Sequence, residues 1–485
     1  MATIAKRPEG NRKLYIGGEW VDSTSANEVP MINPATEEIF AYAPDTTIED
    51  AERAIAAARK AFDEGPWPHM PVEERIACLQ RVAELYESRF DEVAQIITSE
   101  IGSPITFSRH AQVPIPKMML EYYIALAKQY PFEEVREGLS LPARVVKEPV
   151  GVCVAIAPWN FPHAAMIIKL APALLAGCTV IAKPGPETAQ DAFAMAELFD
   201  AAGFPPGVIS ILPAGREVGE YLVSHRDVDH VSFTGSTASG RRVGEVCGRD
   251  LRRFNLELGG KSALILLDDV DQEMAVKAVA GNSIRNSGQA CTNQTRILVP
   301  RSRYDELVEG IRQFMAGLVV GDPMDPATQV GPMVSEAQRD RVEGYIQIAK
   351  DEGAKLSVGG GRPAHINKGW FVEPTLFVDV DNSMRIAQEE IFGPVLVVIP
   401  YDDDDDAVRI ANDSEYGLAG GIWSADPKRA EAMARRVRAG LMHVNGAGGS
   451  FDGPFGGFKA SGVGRESGRE GLETYFEYKS LPLIP

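Results

Sequence analysis

Cys291 closes the segment Ser287-Gly288-Gln289-Ala290-Cys291, and its thiolate would be a strong nucleophile. Upstream, Glu257-Leu258-Gly259-Gly260-Lys261 supplies a carboxylate able to take a proton. Further upstream, Pro158-Trp159-Asn160-Phe161-Pro162 supplies an amide able to donate to a developing oxyanion. A thiol, a base and an amide donor together suit covalent chemistry at a carbonyl carbon. Taken singly, each has a plainer reading: a buried cysteine, a solvated carboxylate, a turn asparagine.

A second group of residues suits a nucleotide. Phe233-Thr234-Gly235-Ser236-Thr237-Ala238-Ser239-Gly240 falls where a strand should turn into a helix. A helix N-terminus presents free N–H groups and positive potential to a pyrophosphate. Only Gly235 and Gly240 are present, short of the three-glycine fingerprint, so a tight turn explains the motif equally well. Lys183-Pro184 follows a short apolar run and adds a cation at the carboxyl end of an expected strand, where ligands of open α/β sheets bind.

The elements that must position these residues are legible from periodicity. Strands are predicted over 150–156, 179–182, 208–212 and 230–233, and helices over 163–176, 188–201, 217–224 and 237–247. This βαβ alternation predicts a parallel sheet covered on both faces. Helical spacing also marks 48–62 and a continuous stretch 72–101. A second alternating region follows, with strands over 262–267 and 295–299 and helices over 271–285 and 304–318. The expectation is two α/β domains joined near 258–262. The acid run Asp402 to Asp406 suits the start of a helix over 407–412 and lacks the spaced ligands of a calcium loop. Gly359-Gly360-Gly361 reads as a surface turn.

Composition mainly excludes. The chain has 485 residues and a formal net charge of −19, which argues against nucleic acid or an anionic membrane as a principal partner. Its five cysteines are scattered with no C-x-x-C pair, and its seven histidines lack ligand spacing, so neither a disulfide framework nor a metal site is expected. The segment 1–11 is polar, without the apolar run of a secretory signal. Apolar stretches are interrupted before membrane-spanning length, and a cytoplasmic location is expected.

End to end, the chain resembles the NAD(P)-dependent aldehyde dehydrogenase superfamily. The resemblance begins at Leu14-Tyr15-Ile16-Gly17-Gly18-Glu19-Trp20 and Asn33-Pro34-Ala35-Thr36 and includes every motif quoted so far. It continues through Glu389-Glu390-Ile391-Phe392-Gly393-Pro394 and Pro454-Phe455-Gly456-Gly457-Phe458-Lys459 to Ser461-Gly462-Val463-Gly464-Arg465-Glu466. It implies that Cys291 attacks an aldehyde, that Asn160 and the Cys291 N–H hold the oxyanion, and that Glu257 activates the hydrolytic water. Lys169 and Glu466 match positions that assist proton traffic. Trp159, Lys183, Gly215, Gly219, Gly235, Ser236, Gly240, Leu258, Glu390 and Phe392 match cofactor contacts. The implied fold is a Rossmann-type cofactor domain over 1–126 and 149–258 and an α/β catalytic domain over 259–444. A small β oligomerisation element would take 127–148 and 445–485. The implied assembly is a homodimer or homotetramer.

Departures from the family pattern bear on specificity. Many NAD-preferring members carry Glu three residues after the lysine matching Lys183; here that position is Pro186, and Glu187 is one further on. NAD is the expected cofactor, with NADP the alternative, and Arg216 falls near the adenosine end. The expected pocket is formed by Phe161, Ala165, Ile168, Arg285, Ala290, Thr292 and Phe455, with Gly449 where bulkier residues are common. Arg285 matches one of two arginines by which succinic-semialdehyde dehydrogenases bind a distal carboxylate; Ile168 holds the other position. The alternatives are a CoA-acylating enzyme, which typically lacks a carboxylate at the Glu257 position, a semialdehyde-specific enzyme, and a noncatalytic cofactor-binding protein. The strand-prone tail Tyr475 to Leu481 would present exposed apolar groups for a partner subunit.

Overall fold

The computed structural model describes residues 13–139 and 141–483; the polar segment 1–11 and Ser140 lie outside them. Five parallel strands form the middle of the first sheet, in the order Arg253–Glu257, His230–Thr234, Val152–Ile156, Thr179–Lys183 and Ile209–Ile211. Antiparallel edges close it, Gly462–Val463 on one side and Leu14–Ile16 with Glu19–Val21 on the other. Val152–Ile156 and Thr179–Lys183 are buried along their whole length, as strands covered on both faces must be. Cys153 and Ala155 point into one core with the helix Pro162–Ala176, and Val152 and Val154 into another with the helix Ile48–Asp63.

The second sheet runs Lys355–Val358, Thr375–Val378, Val395–Tyr401, Arg296–Pro300, Ala263–Leu266, Ala419–Trp423 and Leu441–Val444. All its pairings are parallel except Lys355–Val358 with Thr375–Val378. Only residues 258–262 separate the last parallel strand of one sheet from the first of the other. Active-site loops at the carboxyl ends of both sheets therefore meet near this crossing.

Several elements differ from the sequence expectation. The stretch 72–101 is two helices, Val72–Ser88 and Phe90–Ile101, parted at Arg89 (φ −112°, ψ 11°). Ser88 Oγ donates to the Leu85 carbonyl at 2.6 Å, and this local bond competes with helix continuation. The helix expected over 271–285 is Gln272–Asn282, followed by the turn Arg285–Gly288. The acid run caps its helix, Asp404–Asn412: the Asp406 N–H donates to Asp403 Oδ1 at 2.9 Å.

The C-terminal segment is divided among three places. Gly462–Val463 edges the first sheet, the loop before it lies against Glu257, and Phe476–Pro482 pairs antiparallel with Ala143–Pro149. Ala143–Pro149 in turn pairs with Glu133–Arg136, giving a three-stranded sheet. Tyr475 and Phe476, read in the sequence as awaiting a partner, are buried in their own subunit, with Phe476 stacked on Tyr130 at 5.7 Å. Val135, Leu141, Tyr478 and Leu481 remain exposed.

Candidate active site

Cys291 follows a strained turn. Asn286 and Ser287 hold left-handed φ values of 52° and 58°, and Gly288 holds 81°. Such angles are costly for non-glycine residues and persist only where the surroundings enforce them. Here the Gly331 N–H donates to Ser287 Oγ at 2.8 Å and the Val334 N–H to Gln289 Oε1 at 3.0 Å. A Cβ on Gly288 would lie 2.1 Å from the Gly393 carbonyl oxygen, so the turn can approach that loop only as glycine. Burial first, then Glu257 and Glu390, push the Cys291 thiol up to about 12, with Arg285 opposing.

Asn160 is locked beside this turn. Its Nδ2 donates to the Gln289 carbonyl at 3.0 Å, while its own carbonyl accepts from Gln112 Nε2 at 2.9 Å and Asn286 Nδ2 at 3.0 Å. An amide nitrogen carries two hydrogens, so one remains for an oxyanion. Gln112 and Asn286 were missed in the sequence; both act through tertiary contacts that no local motif announces.

Glu257 ends the strand Arg253–Glu257 and is buried. Burial, then Glu466, hold its carboxyl well above the usual range, while Lys169 and the Gly457 N–H pull it back. That N–H donates to Glu257 Oε1 at 3.2 Å, and a Cβ on Gly456 would sit 2.9 Å from the same oxygen. The Phe455-Gly456-Gly457-Phe458 loop thus touches the base through backbone that only glycine can bring so near. Lys169, fully buried on the helix Pro162–Ala176, donates to Thr234 Oγ1 at 2.7 Å and pairs with Glu466.

The cofactor candidates line the adjoining side. Ser236 caps the helix Thr237–Arg249, and its Oγ accepts from the Ser239 N–H at 3.3 Å. Gly235 N–H donates to the Glu257 carbonyl at 3.0 Å. A Cβ on Gly240 would meet Leu258 Cδ2 at 2.4 Å, so this glycine lets the helix settle on Leu258. Lys183 is buried, its pKa lowered to about 8 by that burial, and its Nζ donates to the Ala214 carbonyl. A Cβ on Gly219 would lie 3.4 Å from the Lys183 stem, and Gly215 opens the next helix with free space around it. Glu390 Oε1 accepts from the Gly260 N–H at 3.1 Å; burial pushes its carboxyl up to about 7. Phe392 (φ 65°) meets Trp159 edge to face at 5.5 Å.

One corner changes the reading of cofactor choice. Pro186 opens the short turn Pro186–Thr188, and Glu187 folds back so that its Oε2 lies 2.7 Å from where a Gly185 Cβ would sit. Glu187 also faces Lys183 electrostatically. A carboxylate therefore reaches this corner from one residue later than the family pattern places it.

On the substrate side, Phe161 precedes the Lys169 helix and packs against Phe107 at 6.0 Å. Ala165 and Ile168 follow on that helix, Ile168 buried and Ala165 half-buried; Ala290 and Thr292 flank the thiol. The Phe455 N–H and carbonyl bridge to Glu466, at 2.6 and 2.7 Å, tying this residue to the Lys169 pair. Arg285 Nη2 donates to Thr292 Oγ1 at 2.8 Å. Its Nε is buried with no hydrogen-bond partner, and no carboxylate pairs with it among the described residues. Burial pulls its pKa down, and it in turn helps hold His443 at about 4, behind burial.

A thiol within electrostatic reach of Glu257, on a turn held against Asn160, suits covalent chemistry at a carbonyl carbon. The sequence profile of the aldehyde dehydrogenase family matches residues 20–481. The geranial dehydrogenase of Castellaniella defragrans is 45% identical over 475 residues, 98% of this chain and 99% of that one. A putative aldehyde dehydrogenase of Staphylococcus aureus is 43% identical over 474 residues, 97% of this chain and 98% of that one. Among solved structures, a Mycobacterium tuberculosis aldehyde dehydrogenase complexed with NAD+ superposes with TM-score 0.96 at 45% identity, covering 98% of each chain. A cysteine-to-alanine mutant of Pseudomonas syringae aldehyde dehydrogenase C, complexed with NAD+ and octanal, gives 0.94 at 40% identity, covering 98% and 97%. The chain belongs to the aldehyde dehydrogenase family, enzymes that oxidise an aldehyde to the carboxylate.

Proposed function

We propose that Cys291 carries the reaction as a covalent nucleophile, with Asn160, Glu257, Lys169 and Glu466 in the roles that follow. The carrying observation is the lock on Asn160, which brings one free amide hydrogen to the turn that bears the thiol. Cys291 Sγ, as the thiolate after its proton has passed to solvent water, bonds to the aldehyde carbon, and the oxygen becomes an oxyanion held by Asn160 Nδ2 and the Cys291 N–H. One such donor is worth about 3 kcal/mol to the transition state. NAD+ is the cofactor, as in the solved relatives, and supplies the hydride acceptor that turns the thiohemiacetal into a thioester. Glu257 then takes a proton from water as its oxygen bonds to the thioester carbon and the Cys291 thiolate departs. The Lys169–Glu466 pair receives that proton.

The residues present fit the cofactor. Glycines at 215 and 219 leave room against Lys183, and Ser236 opens a helix toward the phosphates. Lys183 would face the adenosine ribose with Glu187, and Glu390, pinned by the Gly260 N–H, would accept from the nicotinamide ribose. The proposed division is a cofactor domain ending at 258 and a catalytic domain from 259, with Glu390 reaching the cofactor from the second.

The substrate is a medium-length apolar aldehyde. Ala165, Ile168, Ala290 and Phe455 offer small or apolar surface, and the relatives that act on geranial or bind octanal agree with it. A second reading, an aldehyde bearing a distal carboxylate, is favoured by Arg285, whose buried guanidinium has no carboxylate partner among the described residues. The assembly is a homodimer or homotetramer formed through the exposed apolar side chains of the three-stranded sheet. Five free cysteines suit a reducing cytoplasm; no helix of the described residues is long and apolar enough to cross a membrane.

The deciding experiment mixes enzyme, NAD+ and octanal rapidly. Wild type should form NADH with an acyl adduct on Cys291, and Cys291→Ala should form neither. Turnover by Cys291→Ala at the wild-type rate overturns the mechanism.

A further inference from the structure

A buried lysine stands unpaired at the crossing between the two sheets. Lys261 lies between Gly260, whose N–H holds Glu390, and the strand Ala263–Leu266, and it is 2% exposed. Its carbonyl accepts from Arg296 Nε at 2.8 Å, but its ammonium makes no hydrogen bond or ion pair among the described residues. Glu390 and Glu389 attract it from a distance and are engaged elsewhere, Glu390 by the Gly260 N–H and Glu389 by Arg385 and Tyr345. The next residue, Ser262, is 4% exposed, and its Oγ has no hydrogen-bond partner among the described residues. Burying a charge or a hydroxyl without a partner is costly, and two such groups are adjacent here.

Both residues border one small cavity, walled also by Arg296, Tyr416 and Arg438. It offers about 10 Å³ to the centre of a water-sized particle, room for a single small occupant. No residue of its wall is acidic. Arg296 is 2% exposed, and its hydrogen bonds all go to neutral acceptors: the Lys261, Ile410 and Ala411 carbonyls and Asn382 Oδ1. A guanidinium has five N–H groups, so one hydrogen on Nη2 remains. Lys459 adds a further cation beside the wall. Its Nζ donates to the Asn412 and Ser414 carbonyls at 2.7 and 3.0 Å, and after burial it is Arg438 and Arg296 that lower its pKa. The acids that act on Lys261, Arg296 and Lys459 are Glu389, Glu390 and Asp413, and all three lie outside the cavity wall. In a chain of net charge −19, this is a local excess of positive charge around a closed space.

We propose that this cavity binds a monatomic anion, a halide such as chloride, held by the Lys261 ammonium, the Ser262 hydroxyl and the remaining Nη2 hydrogen of Arg296. Sign and size select this class. Every side chain there with a hydrogen to spare is a donor, and a cation would meet like charge on each side. Sulfate, phosphate and carboxylates exceed the space of one water. A water molecule would satisfy the hydroxyl and leave the cations uncompensated. Burial, then Arg296, pull the Lys261 pKa down to about 7. A bound anion opposes both effects by favouring the charged amine. The site is separate from the thiol, and its test does not depend on which residue is the nucleophile.

The probe is bromide, which substitutes for chloride and scatters anomalously. Crystals of the full chain grown in sodium gluconate and soaked in sodium bromide should show an anomalous peak against Lys261 Nζ and Ser262 Oγ. In solution, Tm is measured at equal ionic strength in sodium chloride and in sodium gluconate, whose anion is too large to enter. General salt effects cancel when this Tm difference is compared between variants. The difference should be larger in wild type than in Lys261→Met by about 2 °C or more. Lys261→Met should also lose the bromide peak, and Ser262→Ala should show a weaker peak and a smaller difference. Water alone at the wild-type site overturns the proposal. A bromide peak with the same Tm difference in wild type and Lys261→Met means an adventitious ion only, and overturns it too. Should Lys261→Met fail to fold, Ser262→Ala decides: an undiminished peak and Tm difference overturn the site, and a reduction of both supports it.

Discussion

Glu257→Gln isolates one function of one atom pair. The amide keeps the volume of the carboxylate and an oxygen able to accept from the Gly457 N–H, the bond now made at 3.2 Å. What it loses is the capacity to take a proton. General-base catalysis contributes about 10²- to 10⁴-fold, or about 2.7–5.4 kcal/mol at 1.36 kcal/mol per decade. Acylation needs the thiol and the oxyanion donors, neither of which hydrogen-bonds to Glu257. Rapid mixing should therefore show one NADH per site followed by turnover slowed by that factor, with the acyl enzyme accumulating. The pH profile adds a check on sign. Burial and Glu466 raise the Glu257 pKa, so the working, ionised form fills only as pH climbs above the usual carboxylate range. Wild-type deacylation should rise across that range and Glu257→Gln should lose the limb. Deacylation within tenfold of wild type, with the pH limb intact, would refute the assignment.

Three other outcomes follow from the same geometry. Glu187→Gln should improve use of NADP relative to NAD by about tenfold, since a like charge facing the extra phosphate is removed, and Pro186→Glu should worsen it; kcat/KM ratios at low salt measure both, and an unchanged ratio in Glu187→Gln shows that Glu187 does not face the cofactor. Arg285→Ala separates the two substrate readings: a tenfold or greater loss in kcat/KM confined to semialdehydes supports the anionic substrate, and equal effects on octanal remove it. Deleting residues from Tyr475 onward should abolish solubility and activity together, because Phe476 is core and the three-stranded sheet loses a strand; a fully active truncated monomer by light scattering would refute this.

The sequence revealed elements well where periodicity and burial agree. Thr179–Lys183 and Val152–Ile156 read as buried parallel strands because both faces are apolar. The break at Arg89 was hidden because apolar spacing continues through it, and only the Ser88 side chain interrupts the ladder. The thiol, base and amide were visible as motifs. The bonds that aim them come from Gln112, Asn286 and Gly457, whose partners lie 48, 126 and 200 residues away. Lys169 and Glu466 were reached by resemblance alone; the structure adds Thr234, whose motif had suggested only a phosphate turn. Glu187 stands one residue past the position the family pattern names, within the turn Pro186–Thr188.

The strand His230–Thr234 carries the most instructive disagreement. Its alternation of polar and apolar residues is the pattern of a strand with one face in water. Its position in the sheet is central, with Val152–Ile156 on one side and Arg253–Glu257 on the other, and both its faces are covered. The polar face is covered from within the fold, the His230 ring lying 4.9 Å from that of Tyr475. A strand chosen for packing alone would carry valine or isoleucine at 230 and 232; the neighbour Val152–Ile156 carries cysteine and alanine in those rows, and Arg253–Glu257 carries Arg253 and Asn255. The polar face begins beside Glu257, the proposed base, and ends at the Arg253–Glu477 ion pair. Local rules yield at this strand, and the place where they yield is adjacent to the chemistry.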